Sequence, residues 1–109
     1  MKTSELTGAA LNWAVATANG DYPQWDAEWE AFYAANGDDM DYSTNWAQGG
    51  PIIEREFITI QPVVNPDGWM ARTQKRDTVW EGSTPLEAAM RCYVASKLGD
   101  EVEIPKELT

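Results

Sequence analysis

Residues 84–98 read T-P-L-E-A-A-M-R-C-Y-V-A-S-K-L, and they predict the helix around which the rest of the chain is organised. Thr84 can cap the first free amides, Pro85 is tolerated in the first turn, and Gly99 can end the helix in a left-handed conformation. An apolar stripe at helical spacing is formed by Leu86, Ala89, Met90, Tyr93, Val94 and Leu98. Small apolar residues flank this stripe, so we predict a helix that packs on more than one side.

The polar side of this predicted helix is narrow. Glu87 and Arg91 are four residues apart, a spacing that places opposite charges on adjacent turns. We expect this ion pair to face solvent, together with Ser96 and Lys97. Cys92 lies mid-helix among apolar residues, which predicts a buried and unreactive thiol.

The remaining pattern predicts an α+β fold in the order α-β-β-β-α. Apolar spacing indicates a first helix over residues 4–18, which ends at Asn19-Gly20. Alternating residues predict strands over 56–64, 69–74 and 78–81, and Asn65-Pro66-Asp67-Gly68 is typical of a hairpin turn. We expect a three-stranded antiparallel β-meander with the two main helices packed on one face. Val102 and Ile104 should reach the core, and residues 105–109 should fray.

Two stretches between these elements are less regular. Trp25, Trp29, Phe32 and Tyr33 recur at helical spacing, which predicts an extra short helix over residues 25–35 closed by Asn36-Gly37. Residues 46–53, W-A-Q-G-G-P-I-I, predict a tight buried turn with Trp46 packed over it, or alternatively an edge that contacts a ligand or partner.

Length and composition indicate a single folded domain over residues 1–109. The apolar fraction is 43% and there are six tryptophans, which argues against a disordered acidic tail. No apolar run is long enough to span a membrane, and the first residues lack the apolar segment of a signal peptide. A single cysteine forms no internal disulfide, so we expect a reducing, cytoplasmic location.

The charge is strongly acidic and uneven. The chain has eight basic and 18 acidic residues, for a net charge of −10, and no basic residue lies between Lys2 and Arg55. Direct binding of nucleic acid or of an anionic membrane surface needs clustered Lys or Arg. The charge distribution therefore argues against both functions. The acidity either keeps the protein soluble or forms a face that docks a basic partner or mimics nucleic acid. The candidate acidic face comprises Asp26, Glu28, Glu30, Asp38, Asp39 and Asp41.

The chemistry of the side chains argues against an enzyme. There is no histidine, which removes Ser-His and Cys-His catalysis and most zinc sites. The carboxylates at 38–41 lack the glycine turn and distant Glu of a calcium loop, so we predict no metal and no cofactor. Carboxylate-only catalysis stays open, since Glu54 and Glu56 would share one face of a strand.

The tryptophans are too numerous for so small a core to bury completely. We expect some of them at an interface, and a homodimer that covers the second face of the sheet is the simplest use. A small-molecule site is also conceivable, in which an indole stacks on a base and arginines pair with a phosphate. Its candidate residues are Trp46, Gly49, Gly50, Pro51, Trp69, Arg72 and Arg91.

Three motifs together carry a family resemblance: L-N-W-A-V-A at 11–16, W-A-Q-G-G-P-I-I at 46–53, and T-P-L-E-A-A-M-R-C-Y-V at 84–94. With K-L-G-D-E-V at 97–102, they resemble the NinX-like family of small bacteriophage proteins of unknown function. The resemblance runs from Leu6 to Val102 but leaves out residues 21–40, so residues 21–45 are candidates for a family-variable insertion. It implies a phage or prophage accessory protein in the cytoplasm of an infected bacterium, and it implies no activity and no catalytic residues.

Two functional hypotheses follow from these observations. The first is a non-enzymatic phage accessory protein that binds and modulates a host protein, for instance as an inhibitor of a bacterial defence system. The alternative is an oligomeric protein that binds and sequesters a small molecule such as a nucleotide signal. The scarcity of basic residues argues against the alternative, unless an oligomer brings several arginines together.

Overall fold

The structure is a computed structural model that describes residues 1–34, 39–64, 67–74 and 78–109. Within these ranges the chain forms α1 (Gly8–Ala18), β1 (Gln24–Asp26), β2 (Ala31–Tyr33), α2 (Trp46–Glu56), β3 (Thr59–Val64), β4 (Asp67–Arg72), β5 (Trp80–Gly82) and α3 (Pro85–Leu98). Short 3-10 turns at Thr3–Glu5 and Lys106–Leu108 flank them. The α+β class and the three-stranded antiparallel meander β3-β4-β5 are confirmed.

Helix α3 is the centre of the fold. Thr84 Oγ1 accepts a hydrogen bond from the Glu87 amide at 3.0 Å, and Gly99 ends the helix with a φ of +92°. Of its predicted apolar stripe, Leu86, Ala89, Met90, Tyr93 and Val94 are buried, whereas Leu98 in the last turn is 36% exposed. Cys92 is buried as predicted. The helix packs against all three strands of the meander, while α1 and α2 pack against α3. The predicted cap, the end at Gly99 and the packing on more than one side are therefore confirmed, while the exposure of Leu98 departs from the prediction.

The meander buries one face on α3. Ile60 pairs with Ala71, and Ala71 pairs with Trp80, so these three side chains share the core face. Strand β3 begins at Thr59 and not at residue 56, because α2 continues to Glu56. The predicted turn residues Asn65 and Pro66, and the second turn at 75–77, lie outside the described residues, while Asp67 and Gly68 already belong to β4.

The first helix begins later than predicted. Residues 3–5 form the separate 3-10 turn, and α1 starts at Gly8. The chain before it is tied to the segment after α3, because Thr3 Oγ1 donates to the Gly99 carbonyl at 2.7 Å and the Val102 amide donates to the Met1 carbonyl at 2.9 Å. Val102 is buried and Ile104 packs against the core, as predicted.

The short helix predicted over 25–35 is wrong. Residues 24–33 form an antiparallel hairpin in which Trp25 lies opposite Phe32. Asp26 Oδ1 accepts the amides of Glu28 and Trp29, as a helix cap would, but Glu30 has a φ of +49° and the chain turns back. Asn36 and Gly37, predicted to close the helix, lie outside the described residues.

The tight turn predicted at 46–53 is also wrong, because this segment is the first part of α2. Asn45 Oδ1 caps the helix by accepting the Ala47 amide at 2.9 Å. A Cβ atom at Gly49 would lie 2.6 Å from both the Tyr42 carbonyl oxygen and Leu86 Cδ1. The glycine therefore permits a close helix contact, not an unusual backbone angle. Trp46 is 54% exposed and does not cover a turn.

None of the helices in the described parts of the chain is long and apolar enough to cross a membrane.

Candidate functional site

The hairpin of residues 24–33, called the aromatic hairpin below, stands apart from the core. Of the residues that the structure describes, none in this range belongs to the hydrophobic core or packs against it. Its two strands pair with each other through Trp25 and Phe32, whose ring centroids lie 5.1 Å apart at a tilt of 59°. These aromatic side chains consequently stabilise the hairpin itself and do not contribute to the central core.

One face of the aromatic hairpin forms an open cleft of about 650 Å³. Its lining residues are Gln24, Trp25, Asp26, Ala27, Trp29, Tyr33 and Ala34. Trp29 is 70% exposed and Trp25 is 38% exposed, so two indole rings are available to a partner. The faces of aromatic rings carry partial negative charge, and a carboxylate beside them adds a full one. The cleft therefore suits a cationic group.

The turn of the aromatic hairpin fixes the position of this carboxylate. Asp26 Oδ1 accepts the Glu28 amide at 2.9 Å and the Trp29 amide at 3.2 Å. These bonds tie the carboxylate to the backbone that carries Trp29. Glu28 and Glu30 are exposed on the same turn, and Glu30 adopts the left-handed φ that is costly for a residue with a side chain. Three of the predicted acidic residues thus lie on the hairpin that carries the exposed indoles.

The other predicted acidic residues lie elsewhere in the fold. Asp39 and Asp41 are exposed in the segment before α2, where Gln48 holds the backbone. Its Oε1 accepts the Asp41 amide at 2.7 Å, and its Nε2 donates to the Asp39 carbonyl at 3.0 Å. Asp38 lies outside the described residues. Within the described parts, no three Asp, Glu or Cys residues gather closely enough to hold a metal ion.

The candidate small-molecule residues are distributed over three places. Trp69 and Arg91 line one cleft of about 370 Å³, whereas Trp46 lines another of about 330 Å³ near the start of α3. Arg72 is exposed on β4, one residue out of phase with the core-facing Ala71. The residues expected to stack on a base and to bind its phosphate are therefore not brought together, and the nucleotide-binding alternative stays a prediction.

The glycine-proline part of that set is structural. Gly49 is buried in the contact of α2 with Leu86, and Gly50 and Pro51 follow it within the helix. Glu54 and Glu56, proposed as a catalytic pair on a strand, instead lie in the last turn of α2. Two residues apart on a helix do not face the same way, so the expected alignment of the two carboxylates is wrong.

The Glu87–Arg91 pair is present at 3.4 Å, but it does not face solvent as predicted. Its side chains are only 16% and 14% exposed. Glu87 also accepts hydrogen bonds from the Ser83 amide at 2.9 Å and from the Thr7 hydroxyl at 3.1 Å. Burial alone would raise the pKa of Glu87, but the bond from Ser83, the charge of Arg91 and the bond from Thr7 together hold it below its usual value.

A second polar cluster was missed by the sequence analysis. Arg55 Nη2 donates to Asn19 Oδ1 at 2.8 Å and to the Tyr93 hydroxyl at 3.1 Å, and its guanidinium lies 5.7 Å from the Tyr93 ring centroid. The Tyr42 hydroxyl donates to Asp21 Oδ2. Burial, followed by this bond, raises the pKa of Tyr42 above its usual range. The cluster ties the end of α1 to α2 and α3, and its members are too far apart in sequence to form a recognisable motif.

The same cluster contributes to the ion pairs and the pKa of Glu56. This carboxylate pairs with Arg55 at 3.0 Å and with Lys97 at 3.3 Å, which bridges the ends of α2 and α3. The hydrogen bond from Arg55 lowers the pKa of Glu56, against a smaller opposing effect of burial. A carboxylate held ionised between two cations is suited to cross-linking helices and poorly suited to accept a proton in catalysis.

Comparison with known families agrees with the resemblance inferred from the three motifs. The sequence model of the family described as bacteriophage P22 NinX matches residues 2–97. The chain belongs to this NinX family. The matched range runs from the start of the chain to Lys97 near the end of α3, and it therefore spans the aromatic hairpin and the meander. A search of curated proteins finds no match.

Membership of the NinX family gives the chain a bacteriophage context. The exposed cleft of the aromatic hairpin is its candidate binding site. The sequence predicted a surplus of tryptophans and an acidic face as two separate features. The structure places members of both on one hairpin.

Proposed function

We propose that this NinX-family chain is a non-enzymatic phage accessory protein that binds and modulates a host protein in the cytoplasm of the infected bacterium. The aromatic hairpin is its binding surface. The observation that carries the proposal is the exposure of Trp29, 70%, on a hairpin that adds nothing to the core. An exposed indole costs solubility and gives no folding energy here, whereas tryptophan is among the residues that dominate binding interfaces.

The charge of the hairpin specifies the kind of partner. Asp26 lines the cleft with the indoles, Glu28 and Glu30 are exposed on the same hairpin, and no basic residue precedes Arg55 except Lys2. A partner with a basic surface would be attracted at long range, and the indoles would then supply most of the contact energy. Inhibition of a bacterial defence protein is the modulation we propose, because an accessory protein that acts by binding needs no active site.

The binding proposal is tested with two single-tryptophan variants. We expect the wild-type chain and Trp46→Ala to capture the same protein from lysate of a bacterial host, and Trp29→Ala to lose it. Trp46 is a matched control because it is 54% exposed but lies on α2. With the purified partner, the dissociation constant should rise at least tenfold for Trp29→Ala, which is about 1.4 kcal/mol. Equal binding by both variants would contradict the role of the hairpin.

The inhibitory role needs a separate measurement. Bacteria that carry a defence system should support more plaques when they express the wild-type chain, and Trp29→Ala should remove this effect. If binding depends on Trp29 but plaque counts never change, the protein modulates some other host process and the defence assignment is wrong.

A further inference from the structure

We infer that the cleft of the aromatic hairpin is an aromatic cage that takes an arginine side chain from the surface of the partner protein. The inference rests on the proposed function and names the chemistry of its contact. Trp25, Trp29 and Tyr33 line the cleft together with the carboxylate of Asp26. Several aromatic rings around one carboxylate form the arrangement by which proteins recognise organic cations.

The cage is organised before any ligand arrives. Trp25 is held against Phe32 across the two strands, with ring centroids 5.1 Å apart. Asp26 is held by the two amides that bond to its Oδ1, one of which belongs to Trp29. A site whose rings and charge are already positioned loses less conformational entropy on binding than a flexible one.

Arginine fits this cleft better than lysine. A guanidinium is planar, so it can lie flat on an indole while its edge donates hydrogen bonds to a carboxylate. An ammonium is a compact point charge that cannot make both contacts in the same way. Among the described residues that line the cleft, none is basic, so none of them competes with an incoming cation.

The exposure of Trp29 at the edge of the cleft favours a ligand that is a protein side chain over a small free cation. Trp29 is 70% exposed, and its chain neighbours Glu28 and Glu30 are exposed as well. A small ligand in the cleft would leave much of this indole in water. A protein surface around the inserted arginine would cover it and exclude water from the contact, which is how binding hot spots gain their strength.

The test follows the six indole N–H signals of the full chain by NMR during titration with a capped Gly-Arg-Gly-Arg-Gly peptide. The control peptide carries citrulline at both arginine positions, which keeps the shape and removes the charge. We expect the arginine peptide to shift the signals assigned to Trp25 and Trp29, and citrulline to weaken binding at least tenfold. No shift at about 10 mM peptide, where millimolar affinity is measurable, would overturn the inference.

Two charge variants separate the cage from general attraction. Asp26→Asn keeps the oxygen that accepts the Glu28 and Trp29 amides but removes the charge, and Glu103→Gln removes one charge at an exposed position outside the cleft. We expect Asp26→Asn to weaken peptide binding at least fivefold and Glu103→Gln to leave it within twofold. Equal losses would overturn the inference, and equal binding of a lysine peptide would overturn the choice of arginine.

Failure of the cage and failure of the proposed function give different results. If Trp29→Ala loses a host protein that the wild-type chain captures, but the arginine peptide does not bind, the function stands and the cage is wrong. If the peptide binds and no capture depends on Trp29, the cage recognises cations and the host-protein function is wrong.

Discussion

Arg91 Nε donates a hydrogen bond to the backbone carbonyl of Leu6, which is 2.8 Å away in space and 85 positions earlier in the chain. Its Nη1 donates to the carbonyl of Glu81, also at 2.8 Å. One side chain on α3 therefore holds the segment before α1 and the strand β5. The residue that looked available for a phosphate is occupied in holding the fold together.

Replacing Arg91 should unfold the protein more easily. Arg91→Met removes the side-chain donor to the Leu6 and Glu81 carbonyls and the cation beside the Glu87 carboxylate in a largely buried place, and we expect a loss of about 2–4 kcal/mol in the free energy of unfolding. Urea unfolding followed by tryptophan fluorescence measures it. Arg72→Met, at an exposed position, should stay within about 0.5 kcal/mol, and equal losses in the two variants would contradict the structural role.

Adjacent glycines in α2 should differ in how well they tolerate alanine. A Cβ at Gly49 would lie 2.6 Å from the Tyr42 carbonyl oxygen, whereas the nearest atom to a Cβ at Gly50, apart from its chain neighbours, is 3.9 Å away. We expect Gly49→Ala to destabilise by about 1–3 kcal/mol through overpacking. Gly50→Ala should stay within about 0.5 kcal/mol, because the higher helix propensity of alanine is offset by the contact between its Cβ and the ring of Pro51. Thermal unfolding of both variants measures the difference, and equal losses would mean that α2 does not pack as described.

The apolar face of α3 should be sensitive to truncation. Leu86 and Met90 are 2% and 0% exposed, so Leu86→Ala and Met90→Ala should each cost about 2–5 kcal/mol in the free energy of unfolding. Leu98→Ala is the matched control, since Leu98 is 36% exposed and should cost less than about 1 kcal/mol. A loss below about 1 kcal/mol at both buried positions would refute the packing of α3 on the meander.

The Glu87 carboxylate should make stability depend on acid pH. Its pKa in the folded protein lies below the usual value of 4.5, so the folded state binds this proton less readily than the unfolded state. The stabilisation is therefore complete above about pH 4.5 and is lost as the pH falls through the folded pKa. We expect the free energy of unfolding to fall less steeply between pH 5 and pH 3 in Glu87→Gln than in wild type. An unchanged slope, with Glu103→Gln as the control for one lost carboxylate, would contradict this.

Local signals were sufficient for α3 and for the meander. A threonine cap, a proline in the first turn, an apolar stripe and a terminal glycine all agree in α3, and the structure contains each of them. In the meander, Ile60 and Ala71 follow the alternation of a half-buried sheet. Where short-range preferences and the tertiary contacts favour the same element, the sequence alone is enough.

Helix α2 was missed because tertiary contacts outweigh its local pattern, and the aromatic hairpin was missed because its helical spacing of aromatic residues has no core to pack on. Gly49 lowers helix propensity, but its missing side chain lets α2 approach Leu86 and Tyr42, and this packing compensates. The cap at Asn45 was the signal that could have revealed the helix. In the hairpin, Trp25 and Trp29 have helical spacing, yet Trp25 pairs with Phe32 across strands and the stripe never meets a core.

The candidate site was predictable only in its parts. Composition indicated surplus tryptophans, and charge indicated an acidic face that included Asp26, Glu28 and Glu30. Their meeting in one cleft depends on the reversal of the chain at Glu30, whose positive φ is uncommon for a residue other than glycine. Residue spacing alone does not predict this turn, because a glutamate is an unfavourable residue for the positive φ that the turn requires at Glu30.

The separation of the aromatic hairpin from the hydrophobic core also bears on how such a protein can evolve. Among the described residues, neither β1 nor β2 packs extensively on another helix or strand. Mutations at its rim are therefore nearly free of the stability threshold that constrains α3. On the binding role proposed above, the hairpin would act as an exchangeable specificity segment, and grafting it between NinX-family scaffolds should transfer partner choice.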